Sequence, residues 1–212
     1  MRPAAGGGFR IDDAGHVLNV WLGQAKDKRT HRREWPPGTA GRQGGDVTNE
    51  RLQYVRLGLR TRRASVKLRL RWDRSPLSCA ALVPELPIEG PAFHGKYANY
   101  EVYTLVPMVK AGDPGGEWKM IYPGPGDLMF IPVYPGGMLP PGAPPMDRQR
   151  GILDIAFWYE RGNCRIGPGG PGLGNIIATG ITFEEIERFA EACVDMWAHG
   201  FAGERLYIEP AE

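Results

Sequence analysis

The sequence predicts a mainly β protein, a closed β-barrel with two flanking helices. Three observations point there. Thirty glycines and twenty prolines among 212 residues, beside a 42% hydrophobic fraction, suit a loop-rich β chain better than a helical one. The segment "ASVKLRLRWD" alternates apolar and basic residues with a period of two. The predicted elements run strand, helix, many strands, helix, without the strand–helix–strand repetition of a parallel sheet. The length allows one domain plus an extension.

Residues 1–63 are low in apolar content and broken by "PPGTAGRQGG", so they are expected to be a basic N-terminal extension. Only "HVLNVWLG" and "LQYVRLGL" read as strand material there, placed at the edge of the body. The barrel domain is expected over 64–212. Its first strand has Val66, Leu68, Leu70 and Trp72 on one face against Lys67, Arg69 and Arg71. A short buried helix follows in "RSPLSCAALVP", with Ser75 as N-cap, Pro76 at the first helical position and Pro84 as its stop.

Ten prolines between Pro107 and Arg150 exclude long regular elements from most of that stretch. "GDLMFIPV" reads as one buried strand within it. "GILDIAFWYE" reads as another, with Leu153, Ile155, Phe157 and Tyr159 facing in and Asp154, Trp158 and Glu160 on the other face. The last helix starts with a capping box, Thr182 and Glu185. Phe183, Ile186, Phe189, Ala190, Cys193 and Trp197 form its apolar stripe, and Gly200 its C-cap.

Charge is uneven. Residues 1–74 hold 17 Lys and Arg against 7 Asp and Glu, whereas residues 75–212 hold 9 against 17. The basic part has no helix-turn-helix pattern, zinc-finger spacing or aromatic RNA-binding signature, so no nucleic-acid partner is expected. The expected contact of the extension is the acidic body of its own or a neighbouring subunit, which implies a homo-oligomer. Cys79, Cys164 and Cys193 form no CxxC spacing and are odd in number, which fits a reducing cytoplasm. No apolar run reaches signal-peptide or membrane-spanning pattern, so a soluble protein with no membrane partner is expected.

The run "RWDRSPLSCAALVPELPIEGPAFHGKY", then "PGPGDLMFIP" and "GNIIATG", resembles a bacterial domain-of-unknown-function family, numbered 3830 and described as cyclophilin-like. The likeness covers about residues 65–200. It implies an eight-stranded closed barrel flanked by two helices and supplies no reaction. Prolyl isomerase activity is not expected. Gly95 stands where the catalytic Arg of the cyclophilin Phe-His-Arg motif would follow Phe93-His94, and no Gln-Gly-Gly-Asp follows it, so the electrostatic stabiliser of the twisting amide is missing.

The candidate site lies in "EGPAFHGKYANYEVY". His94 just ahead of a strand is either a proton-transfer group in a barrel mouth or a hydrogen-bonded structural histidine. Glu101 is either on the wet face or enclosed, and an enclosed carboxyl with a raised pKa serves as acid or base. Tyr97, Tyr103 and Tyr159 are the expected substrate-binding rings, with Tyr100 nearby. Asn175 either donates to a ligand carbonyl or caps the glycine loop "GPGGPGLGN". Cys79 reads as a core residue. Four scattered histidines give no metal spacing, and the glycine loop has no nucleotide motif, so no cofactor is expected.

Two functions remain open. One is a small-molecule enzyme without metal or nucleotide, using His94 and Glu101 for acid–base hydrolysis or isomerisation of a small cyclic amide, imide or lactone. The other is a non-catalytic metabolite-binding or accessory assembly subunit.

Overall fold

The computed structural model describes residues 8–11, 17–20, 51–95, 100–134, 143–147, 149–167 and 170–212. It divides into two units, Met1–Val47 and Thr48–Glu212. In the first, β1 (Gly8–Ile11) and β2 (Val17–Val20) pair antiparallel. The second begins with β3 (Tyr54–Leu59), β4 (Ala64–Leu70), helix α1 (Pro76–Leu82) with a 3₁₀ turn at Val83–Glu85, β5 (Ile88–His94) and β6 (Glu101–Pro107). It continues with the short β7 (Lys119–Met120), β8 (Asp127–Val133), β9 (Ile152–Trp158), the short pair β10 (Ile166–Gly167) and β11 (Gly170–Pro171), and β12 (Gly174–Gly180). Helix α2 (Phe183–His199) and β13 (Arg205–Ala211) complete it.

Eight strands close on themselves in the order β4-β3-β13-β5-β6-β9-β8-β12 and back to β4, all antiparallel. β7 adds outside, on β12. Closure gives each of these eight strands a neighbour on both sides, removing the edges that an open sheet would leave for aggregation. The barrel agrees with the architecture expected above. The strand in "LQYVRLGL", β3, is hydrogen bonded on both sides, to β4 and β13. Its Val55, Leu57 and Leu59 face the interior beside Leu68, Val66 and Ala64, which is the alternation that β4 also carries.

β4 has the expected phase, with Val66, Leu68 and Leu70 buried. In β9 the inward residues Leu153, Ile155 and Phe157 join the main core, with Tyr159 just beyond. The opposite face is not solvated. Ala156 and Trp158 pack there with Met129, Ile131 and Ile176 beneath Trp118 and Met120, while Leu105 and Ile152 lie under Ala143 and Met146. The proline-rich middle of the chain thus supplies a second layer over one side of the barrel.

The helices depart from expectation in two details. Ser75 precedes α1, but its hydroxyl donates to the Ile176 carbonyl (2.7 Å) and caps nothing. The exposed first turn is satisfied by Glu117, whose carboxylate accepts from the Leu77 and Ser78 N–H groups (2.8 Å each) and the Ser78 hydroxyl (2.6 Å). In α2 the buried stripe is Ile186, Phe189, Cys193 and Met196, with Phe189 edge-on to Phe157 at 5.4 Å. Phe183 and Trp197, expected on that stripe, are half exposed. Ile186, Phe189 and Cys193 keep the expected phase, and the stripe differs at its C-terminal end, where Met196 takes the place expected of Trp197. Among the described residues, no helix is long and apolar enough to cross a membrane.

Candidate functional site

Strand register decides which candidate residues can meet. His94 pairs with Val102 and Val102 with Phe157, both in the barrel core, while Glu101 pairs with Trp158. Successive side chains on a strand point to opposite faces, so His94 points into the barrel and Glu101 points away from it. The structure therefore does not bring His94 and Glu101 to one site. Tyr97 lies outside the described residues.

The His94 imidazole is fully engaged. Its Nδ1 lies 3.0 Å from the Gly95 carbonyl, which only accepts, so in the neutral ring Nδ1 carries the proton. Its Nε2 then accepts from the Tyr159 hydroxyl at 2.7 Å, and burial raises the Tyr159 pKa, keeping that proton in place. Tyr100 meets Tyr159 edge-on at 5.7 Å, and the Trp197 ring lies 4.8 Å from the imidazole. Trp197 thus packs against the histidine while remaining half exposed. This is a hydrogen-bonded core histidine, the structural alternative.

The titratable cluster lies on the opposite face. Glu101 and Tyr103 stand on β6, and Asp154 on β9 is two alternations further, opposite Leu105. Tyr103 lies between the two carboxyls and stacks on Phe93 at 5.4 Å. Both carboxyls are buried. Burial, then the charge of Asp154, pushes the Glu101 carboxyl up to about 8, with Arg165 offsetting only part. Burial pushes Asp154 up to about 6, and the Arg165 guanidinium restrains it there. Burial and the two carboxylates together hold the proton on Tyr103. Burial thus favours the neutral form of both carboxyls, and Arg165, hydrogen bonded to Asp154 alone, opposes it more strongly there.

Arg165 reaches this face from the loop after β9, its Nη2 3.4 Å from Asp154 Oδ2. Its backbone is fixed, the N–H donating to the Ile121 carbonyl and the C=O accepting from Gly172, each at 2.9 Å. Gly172 also makes the room, because a Cβ there would run into the guanidinium. Four buried side-chain atoms of the described residues have no hydrogen-bond partner, and two of them, Asp154 Oδ1 and Arg165 Nε, belong to this ion pair. Neither Asp154 nor Arg165 was singled out by the sequence. Asp154 had a signal, being the one ionisable residue inside the apolar run "ILDIAFW". Arg165 had none.

Asn175 stands apart from both clusters. Its amide donates to Ser78 Oγ (2.9 Å) and the Gly115 carbonyl (2.7 Å), and its Oδ1 accepts from the Glu117 N–H (3.0 Å). It fastens α1 to the loop that carries the helix cap. Burial pushes the Cys79 thiol up to about 12, as suits a core residue. Among the described residues, no group of three or more His, Cys, Asp or Glu could hold a metal ion.

A family model described as "Protein of unknown function (DUF3830)" matches residues 57–208. No curated protein matches the chain. A solved structure described as "Structure of McbB in complex with tryptophan" is similar, with 14% identity and a TM-score of 0.49 over 74% of this chain and 44% of that one. A likeness of that extent carries no inference about ligand or activity.

Proposed function

The chain belongs to the DUF3830 family, which assigns no reaction, and from the chemistry of its outer-face cluster we propose a small-molecule enzyme that works by acid–base catalysis without metal or nucleotide. The substrate class is a small cyclic amide, imide or lactone, which it hydrolyses or isomerises. Glu101 donates the proton and Asp154 accepts one. The observation that supports this reading is the buried pair itself, two carboxyls on either side of Tyr103 with the Arg165 guanidinium against Asp154. Enclosed charge of this kind is costly to a fold and is kept where it has work to do. His94 does not enter the mechanism, because its nitrogens are both engaged within the core.

Screening the protein against cyclic amides, imides and lactones, by thermal shift and then by turnover, tests it. The expected kcat/KM profile is a bell with limbs near pH 6 and 8, since Asp154 must be ionised and Glu101 protonated. Glu101→Gln is expected to lower kcat by about 10²–10⁴-fold. Binding without turnover of any compound would leave a metabolite-binding barrel and remove the enzyme.

A further inference from the structure

Two exposed faces of the barrel domain carry opposite charge patterns, and each repels itself. The first is the outer face of β3 and β4, across the barrel from the side that the second layer covers. Arg56 of β3 stands directly opposite Lys67 of β4, and Arg69 lies one alternation further along the same face. Like charges directly opposite in an antiparallel pair destabilise it. Towards β13 and β5 the same surface is balanced, because Glu89 accepts from both Arg60 and Arg205 and Glu209 lies 3.9 Å from Arg56. At β4 no such balance exists. Lys67 lies over the Tyr54 ring at 4.4 Å, and among the described residues no carboxylate pairs with Lys67 or Arg69.

The second face is the outer side of α2. Glu184, Glu187 and Glu191 recur there at i, i+3 and i+7, all exposed, away from the buried Ile186, Phe189, Cys193 and Met196. Carboxylates at this spacing repel one another. Glu187 and Glu191 lie beyond the first turn, so the helix dipole does not compensate them. The neighbouring Arg188 bonds the Glu184 backbone carbonyl, and among the described residues no cation pairs with the three carboxylates. Exposed Val194 continues the face. The two patterns are of similar size: the carboxylates span about 10 Å of helix, and the cations stand about 7 Å apart along β4 and about 5 Å across to β3.

We propose that the outer face of β3 and β4 binds the outer face of α2 of a second copy of the chain, Arg56, Lys67 and Arg69 meeting Glu184, Glu187 and Glu191, with Tyr54 and Val194 in apolar contact. Charge selects this pairing. Two copies of α2 laid together would oppose carboxylate to carboxylate, and two copies of the sheet would oppose cation to cation. Each copy has one face of each kind, so the contact is head-to-tail and continues into a ring or a chain of copies. It draws neither on the acid–base site nor on the N-terminal extension.

Sedimentation velocity of the intact chain over a concentration series tests this. Association is expected, and it should weaken with added salt, which screens exposed charges. Glu187→Lys with Glu191→Lys, and separately Lys67→Glu with Arg69→Glu, should each weaken it about tenfold or more, with the fold checked by circular dichroism. Mixed one to one, the reversed helix of one variant faces the reversed sheet of the other, and association should return. Should a double variant misfold, Glu191→Lys and Arg69→Glu alone allow the same mixing. A monomer at every concentration, association unchanged in both variants, or a mixture that stays dissociated overturns the proposal. DNA binding by a monomeric parent, lost in Lys67→Glu with Arg69→Glu, would also overturn it and assign the sheet face to a polyanion.

Discussion

Glu101 couples the stability of the barrel to pH. Its folded pKa of about 8 lies above the ordinary 4.5, so the folded form keeps a proton that the unfolded chain releases. The contribution is complete below about pH 4.5 and is lost as pH rises through 8. Glu101→Gln is expected to flatten the fall in melting temperature between pH 5 and 9, and to melt above the parent at pH 9. An unchanged pH slope in thermal melts would place the carboxyl in water. Tyr159→Phe tests the other cluster. It removes the donor to His94 Nε2 and should cost about 1–2 kcal/mol in urea unfolding while leaving ligand affinity unchanged. The sequence drew attention to both His94 and Glu101 because both are titratable residues in a turn-to-strand stretch. It could not show that an odd number of strand steps sets them on opposite faces, since that depends on the register in which β6 pairs with β5. Asp154 stands on the face that alternation gave it, but alternation does not say that this face is covered.

At the scale of elements, local signals located β4, α1, β8, β9 and α2, while long-range partners decided their details. α1 takes its cap from Glu117, about forty residues downstream, and no reading of the helix's own sequence could supply that. Glu117→Ala is expected to cost about 1–2 kcal/mol, the usual range for a lost cap, whereas Ser75→Ala should leave α1's first turn intact. In α2 the choice lay between adjacent stripes, one with Trp197 and one with Met196. The barrel took the slimmer, flexible Met196 into its core and left Trp197 against the histidine. Phe157→Ala, on the strand whose inward phase was legible, should cost about 3–5 kcal/mol because Phe189 loses its partner ring.

For the molecule as a whole, composition and element order were enough to indicate a closed barrel, since alternation, glycine turns and the lack of parallel crossovers leave few other solutions. The second layer was not legible, because proline-rich sequence reads as loop whether or not its Trp118, Met120 and Met146 are buried. Two truncations separate the extension from the barrel. Removing residues 1–47 should leave cooperative unfolding, because Thr48–Glu212 is a compact unit. Removing residues 1–63 also deletes β3, opens β4 and β13, and should give aggregated protein by size-exclusion chromatography. We expect the basic extension to serve assembly of a homo-oligomer, so the shorter truncation should change the sedimentation coefficient. Tight, salt-sensitive DNA binding by the intact chain would contradict that role.

The position of β13 also bears on how the protein is made. This strand, Arg205–Ala211, fills the gap between β3 and β5, which are synthesised some 110 to 150 residues earlier. Until it has been made, each neighbour has one unpaired edge, and Leu57, Leu59 and Ile88 lack their partners Ile208 and Leu206 on that side. Closure of the barrel therefore waits until β13 has been made, and until then a partly built barrel exposes the edges of β3 and β5.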